Sequence, residues 1–300
     1  MELIKRVPKG IKYVTDEPMS RHTTFRTGGP ADLMLLPSSV AELRGALAFL
    51  RDEGVTPFIL GNGSNLLVSD KGIRGVVIKI GEGMDGMIAD GETVICGAGA
   101  YLSRLCAFAA ENSLSGAEAL YGIPGSVGGA VYMNAGAYGS EIKDVLVSVD
   151  YIKPDGASGT LRGVDGYGYR CSPFTDGDRI ITSAVFAFKK GDRAAIESKM
   201  AEIKTRRADK QPLNYPSAGS VFKRPDGYYA SALIDQAGLK GRTVGGACVS
   251  EKHAGFIVNK GGATTGDILC LIDIVREKVM SDSGVLLETE VRFVGENYNG

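Results

Sequence analysis

The sequence predicts an α+β protein built from two or three domains, and three observations lead to this. The chain has 300 residues, and single hydrophobic cores rarely grow beyond about 250–300 residues. Apolar residues at helical spacing alternate along the chain with short apolar runs that are typical of strands. Two loops rich in glycine, asparagine and serine interrupt this pattern, and neither has the glycine spacing of a Rossmann fold.

The first predicted domain covers residues 1–80 and is a small α/β unit. Residues 31–37 are expected to form a strand. Ser39 and Glu42 have the spacing of a capping box, and the apolar residues that follow keep helical spacing as far as Gly54. Two further strands are expected, at residues 56–60 and 75–80.

The second predicted domain covers residues 81–195 and the third covers residues 196–300. Both combine helices and strands. The expected elements are a strand at 92–99, a helix at 101–112, strands near 145–153 and 179–188, a charged helix at 191–210, a short helix at 230–237, strands near 245–260 and a helix from about 265 to 280. Residues 285–294 alternate as a strand, and this last strand could return to the first part of the chain.

Composition and charge exclude several classes of protein. The 35 acidic residues nearly balance the 34 basic ones, so neither nucleic acid nor a membrane surface is expected as the main partner. The five cysteines are widely spaced and the chain has two histidines, so reduced thiols and no metal site are expected. No run approaches the ~18 apolar residues of a bilayer span, and no signal core is visible. We therefore expect a cytoplasmic protein.

Residues 119–139 are the most informative stretch of the chain. Glycines recur there every three or four residues, and interior glycines are costly in helices and strands. The stretch is therefore predicted to be a loop that brings bare backbone N–H groups to a bulky anion, although tight turns between strands would explain a single such loop equally well. A second loop at residues 61–65 favours one extended ligand, such as a dinucleotide, lying across both.

Three further positions have side chains suited to chemistry. Ser220 lies at the mouth of a turn, but the nucleophile-elbow pattern is absent, so a turn serine explains it as simply. Glu288 and Glu290 share one face of the predicted final strand, which is either a solvated face or the wall of a pocket. Arg170 is flanked by aromatic residues, which suits either recognition of a carboxylate or phosphate, or packing against Tyr169.

Taken together, these segments resemble the UDP-N-acetylenolpyruvoylglucosamine reductase family. The matching motifs keep their order over nearly the whole chain, and six or seven motifs in register are highly specific. They lie at residues 22–29, 60–66, 122–130 together with 134–136, 169–170, 217–223, 250–259 and 288–292. The short path from Gly139 to Tyr169 resembles the shorter, type II form of the family.

The resemblance implies a fold and an activity. The fold would be a vanillyl-alcohol-oxidase (PCMH)-type pair of FAD-binding subdomains, residues 1–80 and 81–195, followed by a C-terminal α/β substrate-binding domain. The enzyme would bind FAD non-covalently and use NADPH to reduce the enolpyruvyl group of UDP-N-acetylglucosamine-enolpyruvate to UDP-N-acetylmuramate for peptidoglycan. The hydride would pass from flavin N5 to C3 and a proton to C2. A monomer is expected.

The resemblance also implies roles for individual residues. Ser220 would donate the proton to C2, while Arg170 and Glu290 would stabilise the enolate and polarise the substrate carboxylate. Substrate contacts are expected at Tyr169, Lys223, Arg224 and His253. Contacts with FAD are expected at Arg26, Gly28, Gly61, Asn62, Gly63, Ser64, Asn65, Gly122, Ile123, Pro124, Gly125, Ser126, Gly128, Gly129, Ala130 and Asn134.

Two alternative functions remain open from the sequence. One is a different FAD oxidase on the same scaffold, with O₂ as the electron acceptor. It accounts for both glycine-rich loops but not for Ser220, Arg170 and Glu290 together. The other is a non-enzymatic protein that binds a nucleotide sugar.

Overall fold

The computed structural model of the chain describes residues 3–296 and divides the chain into two compact units. Unit 1 comprises Met1–Val14, Leu33–Asn62 and Val76–Arg206, and unit 2 comprises Thr15–Asp32, Gly63–Gly75 and Arg207–Gly300. Residues 15–32 and 63–75, which fall in the first predicted domain, therefore group with the C-terminal part. The finer division into three domains stays a prediction.

Within residues 3–296 the structure contains six α-helices. They are α1 Val40–Asp52, α2 Leu102–Glu111, α3 Val127–Met133, α4 Arg193–Lys210, α5 Ala230–Gln236 and α6 Thr265–Ser283. The predicted start of α1 is confirmed, because the Ser39 side chain accepts the Glu42 N–H at 3.1 Å. The other half of the predicted capping box, a hydrogen bond from the Ser39 N–H to the Glu42 carboxylate, is wrong. That carboxylate accepts the N–H and the hydroxyl of Ser38 instead.

Helix α3 corrects the prediction that residues 119–139 form only a loop. Ser126 caps this helix by accepting the N–H of Gly129 at 3.3 Å, and Asn134 ends it in the left-handed conformation, with φ of 44°. The apolar side chains of Val127 and Val131 are fully buried. Their burial offsets the conformational cost of the glycines. The prediction from sequence considered that cost without the gain from burial.

The main sheet of unit 1 is antiparallel and has the order β12-β11-β13-β7-β6. Its strands are β6 Met87–Asp90, β7 Thr93–Gly97, β11 Leu146–Ile152, β12 Ser158–Arg162 and β13 Ile180–Ala187. Strands β6 and β12 were not predicted. They form the two edges and have no fully buried residue, so neither gives the continuous apolar run that identified the inner strands.

A second sheet has the order β1-β2-β5-β3, and two short strand pairs complete the N-terminal two-thirds of the chain. The bounds are β1 Lys12–Pro18, β2 Pro30–Leu36, β3 Phe58–Leu60, β5 Ile73–Lys79, β8 Leu114–Ser115, β9 Gly136–Ala137, β10 Ser140–Glu141 and β14 Lys189–Lys190. Strand β9 pairs with β10, and β8 with β14. The predicted β-α-β order of β2, α1 and β3 is confirmed, although the strand bounds shift by one or two residues.

Unit 2 has its own small sheets and its own hydrophobic core. Its strands are β4 Leu66–Val68, β15 Thr243–Val244, β16 Ala247–Val249, β17 Ile257–Asn259 and β18 Arg292–Val294. Strands β15 to β17 form an antiparallel sheet, and β18 pairs in parallel with β4. The predicted apolar face of α6 is confirmed, since Ile268, Ile272, Val275 and Val279 are buried.

The last predicted strand is shorter than expected. Only Arg292–Val294 forms a strand, and before it a single bridge joins Thr289 to Phe222. The N–H groups of Glu290 and Val291 both point to the carbonyl of Val221, at 2.7 and 3.5 Å. Two residues opposite one is the pattern of a β-bulge, which ends regular pairing and redirects side chains.

Candidate functional site

The two glycine-rich loops adjoin within unit 1. The hydroxyl oxygen of Ser126 lies 2.6 Å from the position that a Cβ on Gly61 would occupy. Among residues 3–296, the structure records no acceptor for the N–H groups of Gly61, Asn62, Gly122, Gly125 and Ser126. Backbone donors without an acceptor in two adjoining loops suit an anion, as the sequence predicts. The intervening Ile123 and Pro124 belong to the same turn.

The next residues of this segment serve the fold of unit 1. A Cβ on Gly128 would lie 2.9 Å from the Cβ of Ala98, and the Gly128 N–H donates to the Ala98 carbonyl at 2.8 Å. The N–H groups of Gly129 and Ala130 bond to Ser126. Their predicted contacts with FAD stay predictions, and the structure shows packing and capping at these three positions.

In unit 2, the loop at residues 22–29 lies against Gly63. The Thr24 N–H donates to the Gly63 carbonyl at 3.2 Å. Gly63 has φ of 58°, and a Cβ there would overlap the carbonyl oxygen of His22, so both backbone and packing require glycine. Arg26 is exposed and also has a positive φ, of 57°. Gly28 packs closely on Val68.

This loop contains two polar groups that sequence reasoning missed. The hydroxyls of Thr24 and Thr27 are buried and have no hydrogen-bond partner among the described residues. An unsatisfied buried hydroxyl costs about 1–3 kcal/mol. The N–H groups of Gly63 and Ser64 also have no recorded acceptor in residues 3–296. Both threonines lie in a quoted motif, but spacing alone gave no reason to single them out.

Within unit 2 the structure brings Ser220 and Glu290 together. Val221, which follows Ser220, donates its N–H to the Gly255 carbonyl at 2.9 Å, and its own carbonyl accepts the Glu290 N–H at 2.7 Å. Val221 is fully buried. Its backbone therefore fixes Ser220 and Glu290 on neighbouring extended segments, as a shared site requires.

Asn65 holds the Glu290 segment from its other side. The Asn65 side-chain amide donates to the Glu290 carbonyl at 2.9 Å, and the Asn65 carbonyl accepts the Arg292 N–H at 3.0 Å. The predicted FAD contact of Asn65 stays a prediction. What the structure shows is a residue of the 61–65 loop that holds the backbone of Glu290.

The two glutamates of this segment differ in their surroundings. The Glu288 side chain is 69% exposed and pairs with the Lys223 ammonium at 3.1 Å. Glu290 is half-buried. The bulge at Glu290 separates two residues that regular alternation placed on one face, so the structure distinguishes them where the sequence pattern did not.

His253 lies on the other side of Ser220. A Cβ on Gly255 would lie 3.3 Å from both the His253 Nδ1 and the Ser220 Oγ, so this glycine leaves the two side chains close. The His253 Nδ1 accepts the Gly255 N–H at 3.2 Å, which leaves Nε2 to carry the proton of the neutral ring. Burial lowers the pKa of His253 below its ordinary value, so the neutral form is favoured.

Arg170 lies in unit 1, on a tight turn. Gly168 and Cys171 exchange backbone hydrogen bonds at 3.0 and 3.2 Å, which places Tyr169 and Arg170 at the tip. Arg170 has φ of 54°, a conformation that costs a non-glycine residue about 1–2 kcal/mol. Its guanidinium lies 5.1 Å from the centre of the exposed Tyr169 ring.

Of the other predicted substrate contacts, Lys223 pairs with Glu288 as described, and Arg224 is exposed. The Arg224 guanidinium lies 4.1 Å from the centre of the Tyr229 ring. A cavity of 560 Å³ in unit 2 is lined by Tyr215, Lys252 and Lys260 together with neighbouring residues. Its volume is within the range of small-molecule sites, and sequence reasoning did not find it.

The described residues contain neither a membrane-spanning helix nor a metal-binding cluster. Between residues 3 and 296 the structure has no helix long and apolar enough to span a membrane. The same residues contain no cluster of three or more His, Cys, Asp or Glu side chains that could hold a metal ion.

Comparison with known families and proteins gives matches over most of the chain. Residues 31–161 match the family described as FAD binding domain, and residues 211–294 match UDP-N-acetylenolpyruvoylglucosamine reductase, C-terminal domain. The UDP-N-acetylenolpyruvoylglucosamine reductase of Caldanaerobacter subterraneus is 47% identical over 297 residues, which cover 99% of this chain and 98% of that protein. The one of Clostridium botulinum is 47% identical over 285 residues, covering 95% and 93%.

The comparison with solved structures agrees with the family matches. The crystal structure of UDP-N-acetylenolpyruvylglucosamine reductase from Thermus caldophilus has a TM-score of 0.80 and 36% identity, covering 94% of this chain and 98% of that one. A glucose oxidase variant of Phl p 4 has a TM-score of 0.50 at 13% identity, covering 64% and 44%, which is a likeness of fold alone. The predicted fold class, with a vanillyl-alcohol-oxidase (PCMH)-type FAD-binding part, is confirmed.

Proposed function

Because the chain belongs to the UDP-N-acetylenolpyruvoylglucosamine reductase family, we propose that it reduces UDP-N-acetylglucosamine-enolpyruvate to UDP-N-acetylmuramate in peptidoglycan synthesis. The proposed enzyme uses FAD and takes its electrons from NADPH. The observation that carries the proposal is the pairing of Ser220 and Glu290 through Val221. Both residues lie in the segment that matches the C-terminal domain of the family.

The residues present fit FAD. The N–H groups of Gly61, Asn62, Gly122, Gly125 and Ser126, which have no acceptor within the described residues 3–296, form a donor set that suits the two phosphates of a dinucleotide. Thr24, Thr27, Gly63 and Ser64 offer further donors in unit 2. When bound, FAD would supply the redox chemistry that carries a hydride from NADPH to C3 of the enolpyruvyl group.

The proposed roles of the side chains follow from the charge that develops on the substrate. Hydride addition at C3 leaves an enolate at C2 and the carboxylate, and a preorganised cation such as Arg170 stabilises that charge. Glu290, half-buried and held by Asn65, polarises the substrate carboxylate together with Arg170, and in its protonated form it can donate a hydrogen bond.

Ser220 donates the proton to C2. A hydroxyl is a weak acid, so this transfer depends on the strong basicity of the carbon that receives the proton. The Ser220 hydroxyl lies 3.1 Å from the Phe222 carbonyl, which orients it. The neutral ring of His253 lies on the neighbouring segment.

The sugar nucleotide requires cationic and aromatic contacts, and we assign these to Tyr169, Lys223, Arg224 and His253. The 560 Å³ cavity of unit 2 is a further candidate for the diphosphate, because Lys252 and Lys260 line it. We further expect a monomer in the cytoplasm, which light scattering and cell fractionation would test.

A steady-state assay tests the function as a whole. The purified protein, loaded with FAD, is given NADPH and the enolpyruvyl sugar nucleotide under nitrogen, and the product is identified by mass. The proposal expects one product two hydrogens heavier than the substrate for each NADPH oxidised, and a slower rate with NADH. NADPH consumption that requires O₂ and leaves the sugar nucleotide unchanged would indicate an oxidase, and binding without turnover would indicate a binding protein.

A further inference from the structure

The turn that carries Arg170 is tied to the rest of unit 1 by a buried amide. The Asn134 side chain is fully buried, and its Nδ2 donates both to the Gly168 carbonyl at 2.9 Å and to the Glu141 carboxylate at 3.1 Å. Its Oδ1 accepts the Lys143 N–H at 3.0 Å. Asn134 therefore links the base of the Arg170 turn to a carboxylate far from it in sequence, with all its polar atoms used.

Glu141 lies opposite the strand position whose carbonyl is near the Arg170 guanidinium. In the short pair of β9 and β10, Glu141 is opposite Gly136, and the Gly136 carbonyl lies 3.5 Å from the Arg170 Nη2. The hydrogen bond from Lys143 is the largest cause of a lowered pKa of Glu141, and the Arg170 charge also lowers it. Glu141 is therefore ionised at neutral pH and interacts with the Arg170 charge.

The conformation of Arg170 needs such support. A φ of 54° at a residue other than glycine persists only where the surroundings determine it, and such residues cluster at functional sites. A long, flexible side chain at the tip of a turn would otherwise sample many rotamers. The Gly136 carbonyl and the Tyr169 ring both lie near the guanidinium and restrict it.

We infer that Asn134 and Glu141 are positioning residues that hold Arg170 in its working orientation, Asn134 by fixing the turn and Glu141 by holding the Asn134 amide and the strand position opposite Gly136. The inference rests on the proposed function, in which Arg170 stabilises the enolate. It gives Asn134, predicted from resemblance to contact FAD, a role toward the substrate side of the reaction.

Rapid kinetics of the FAD-loaded protein test this inference. Flavin reduction by NADPH and reoxidation by the enolpyruvyl sugar nucleotide are measured separately under nitrogen. Glu141→Gln keeps the shape and an acceptor for the Asn134 amide but removes the charge. Asn134→Gly keeps the left-handed backbone but removes the amide. Each variant should slow reoxidation by up to about 10²-fold, the loss of rate that a misplacement of 1 Å causes. Reduction by NADPH should stay near the wild-type rate.

The matched control is Glu118→Gln. The Glu118 carboxylate also accepts two hydrogen bonds at a turn of unit 1, from the Ser115 hydroxyl and the Gly116 N–H, and within residues 3–296 no hydrogen bond or ion pair joins it to Arg170. This variant should leave both half-reactions unchanged. If Glu141 had only a structural role, Glu141→Gln would lower the thermal stability and slow both half-reactions. The inference instead expects that only reoxidation becomes slower.

A double-mutant cycle completes the test. With Arg170→Ala already present, Glu141→Gln should slow reoxidation no further, because its effect passes through Arg170. The inference is wrong if Glu141→Gln slows reoxidation equally with and without Arg170, or if reoxidation is wild-type in both Glu141→Gln and Asn134→Gly. Either result would leave the proposed function unaffected. Wild-type reoxidation in Arg170→Ala would instead overturn the role of Arg170 in the proposed function.

Discussion

The backbone N–H of Glu290 donates to the carbonyl of Val221 at 2.7 Å. This bond places Glu290 beside Ser220, the residue before Val221, and it lies at the bulge that interrupts the final strand. The bulge and Asn65 therefore both hold the Glu290 backbone. Glu288, two residues earlier, is exposed and paired with Lys223.

The two glutamates should therefore respond differently to the same substitution. Glu290→Gln keeps the side-chain shape but removes the ionisable proton, so kcat and kcat/KM should fall together by about 10²-fold or more, as for a lost transition-state interaction. Glu288→Gln breaks an exposed ion pair worth at most about 1 kcal/mol and should stay within severalfold of wild type. The assignment is wrong if only KM rises in Glu290→Gln, or if Glu288→Gln is the more damaging change.

The positive φ of Arg170 predicts that stability and activity separate at this residue. Arg170→Gly removes the backbone strain, about 1–2 kcal/mol, so the melting temperature should stay level or rise. Reoxidation by the substrate should nevertheless fall by about 10²–10³-fold, as when a preorganised group is lost. Arg170→Lys keeps the charge and the strain but loses the planar fork. Its reoxidation rate should lie between those of the wild type and Arg170→Gly. A marked drop in melting temperature for Arg170→Gly would contradict the strain argument.

Gly128 and Gly129 are neighbours in α3 with opposite expected effects. Gly128→Val would press on Ala98, and such overpacking costs about 1–3 kcal/mol, so the apoprotein itself should melt at a lower temperature. Gly129 is exposed, and a Cβ there would lie 3.3 Å from the Ser126 Oγ, which need shift only slightly, so Gly129→Ala should stabilise the helix by at most about 0.5–1 kcal/mol. Melting curves of the apoproteins and their FAD content would decide this. A Gly128→Val apoprotein with wild-type stability that cannot bind FAD would assign Gly128 to the cofactor instead.

His253 should make stability depend on pH. Burial is the largest cause that lowers its pKa in the folded state, with Lys240 adding to it. The unfolded chain therefore binds a proton more readily, and stability that is present above about pH 6.5 is lost as the pH falls below it. The melting temperature should decline between about pH 7 and pH 5, and less so in His253→Gln. An equal decline in both proteins would show that other groups cause it.

The sequence identified the fold class and most of the elements that pack with one face buried. Helices α1, α2, α4 and α6 and the inner strands keep an apolar period that is visible without a structure. The edge strands β6 and β12 were missed because both their faces are partly exposed. Helix α3 was missed because burial of Val127 and Val131 outweighs the glycines beside them.

The candidate site could be predicted only in part. Motifs matching the family pointed to Ser220, Arg170 and Glu290, but regular alternation could not separate Glu290 from Glu288, since a bulge leaves no mark in the spacing of residues. Contacts between distant residues were also out of reach. The hydrogen bond from Asn65 to Glu290 joins positions 225 apart, and a single sequence does not show such pairs.

A stopped-flow measurement on wild type and Ser220→Ala tests the central claim most directly. Under nitrogen, NADPH should bleach the flavin absorbance of both proteins at similar rates, because Ser220 acts on the substrate carbon alone. Addition of the enolpyruvyl sugar nucleotide should then restore the colour of the wild type, and restore it about 10²–10⁴-fold more slowly in Ser220→Ala, as expected when a positioned proton donor is lost. Wild-type flavin that NADPH does not bleach, or that the sugar nucleotide does not reoxidise, would contradict the proposed reductase, and equal slowing of both steps in Ser220→Ala would contradict the role of Ser220.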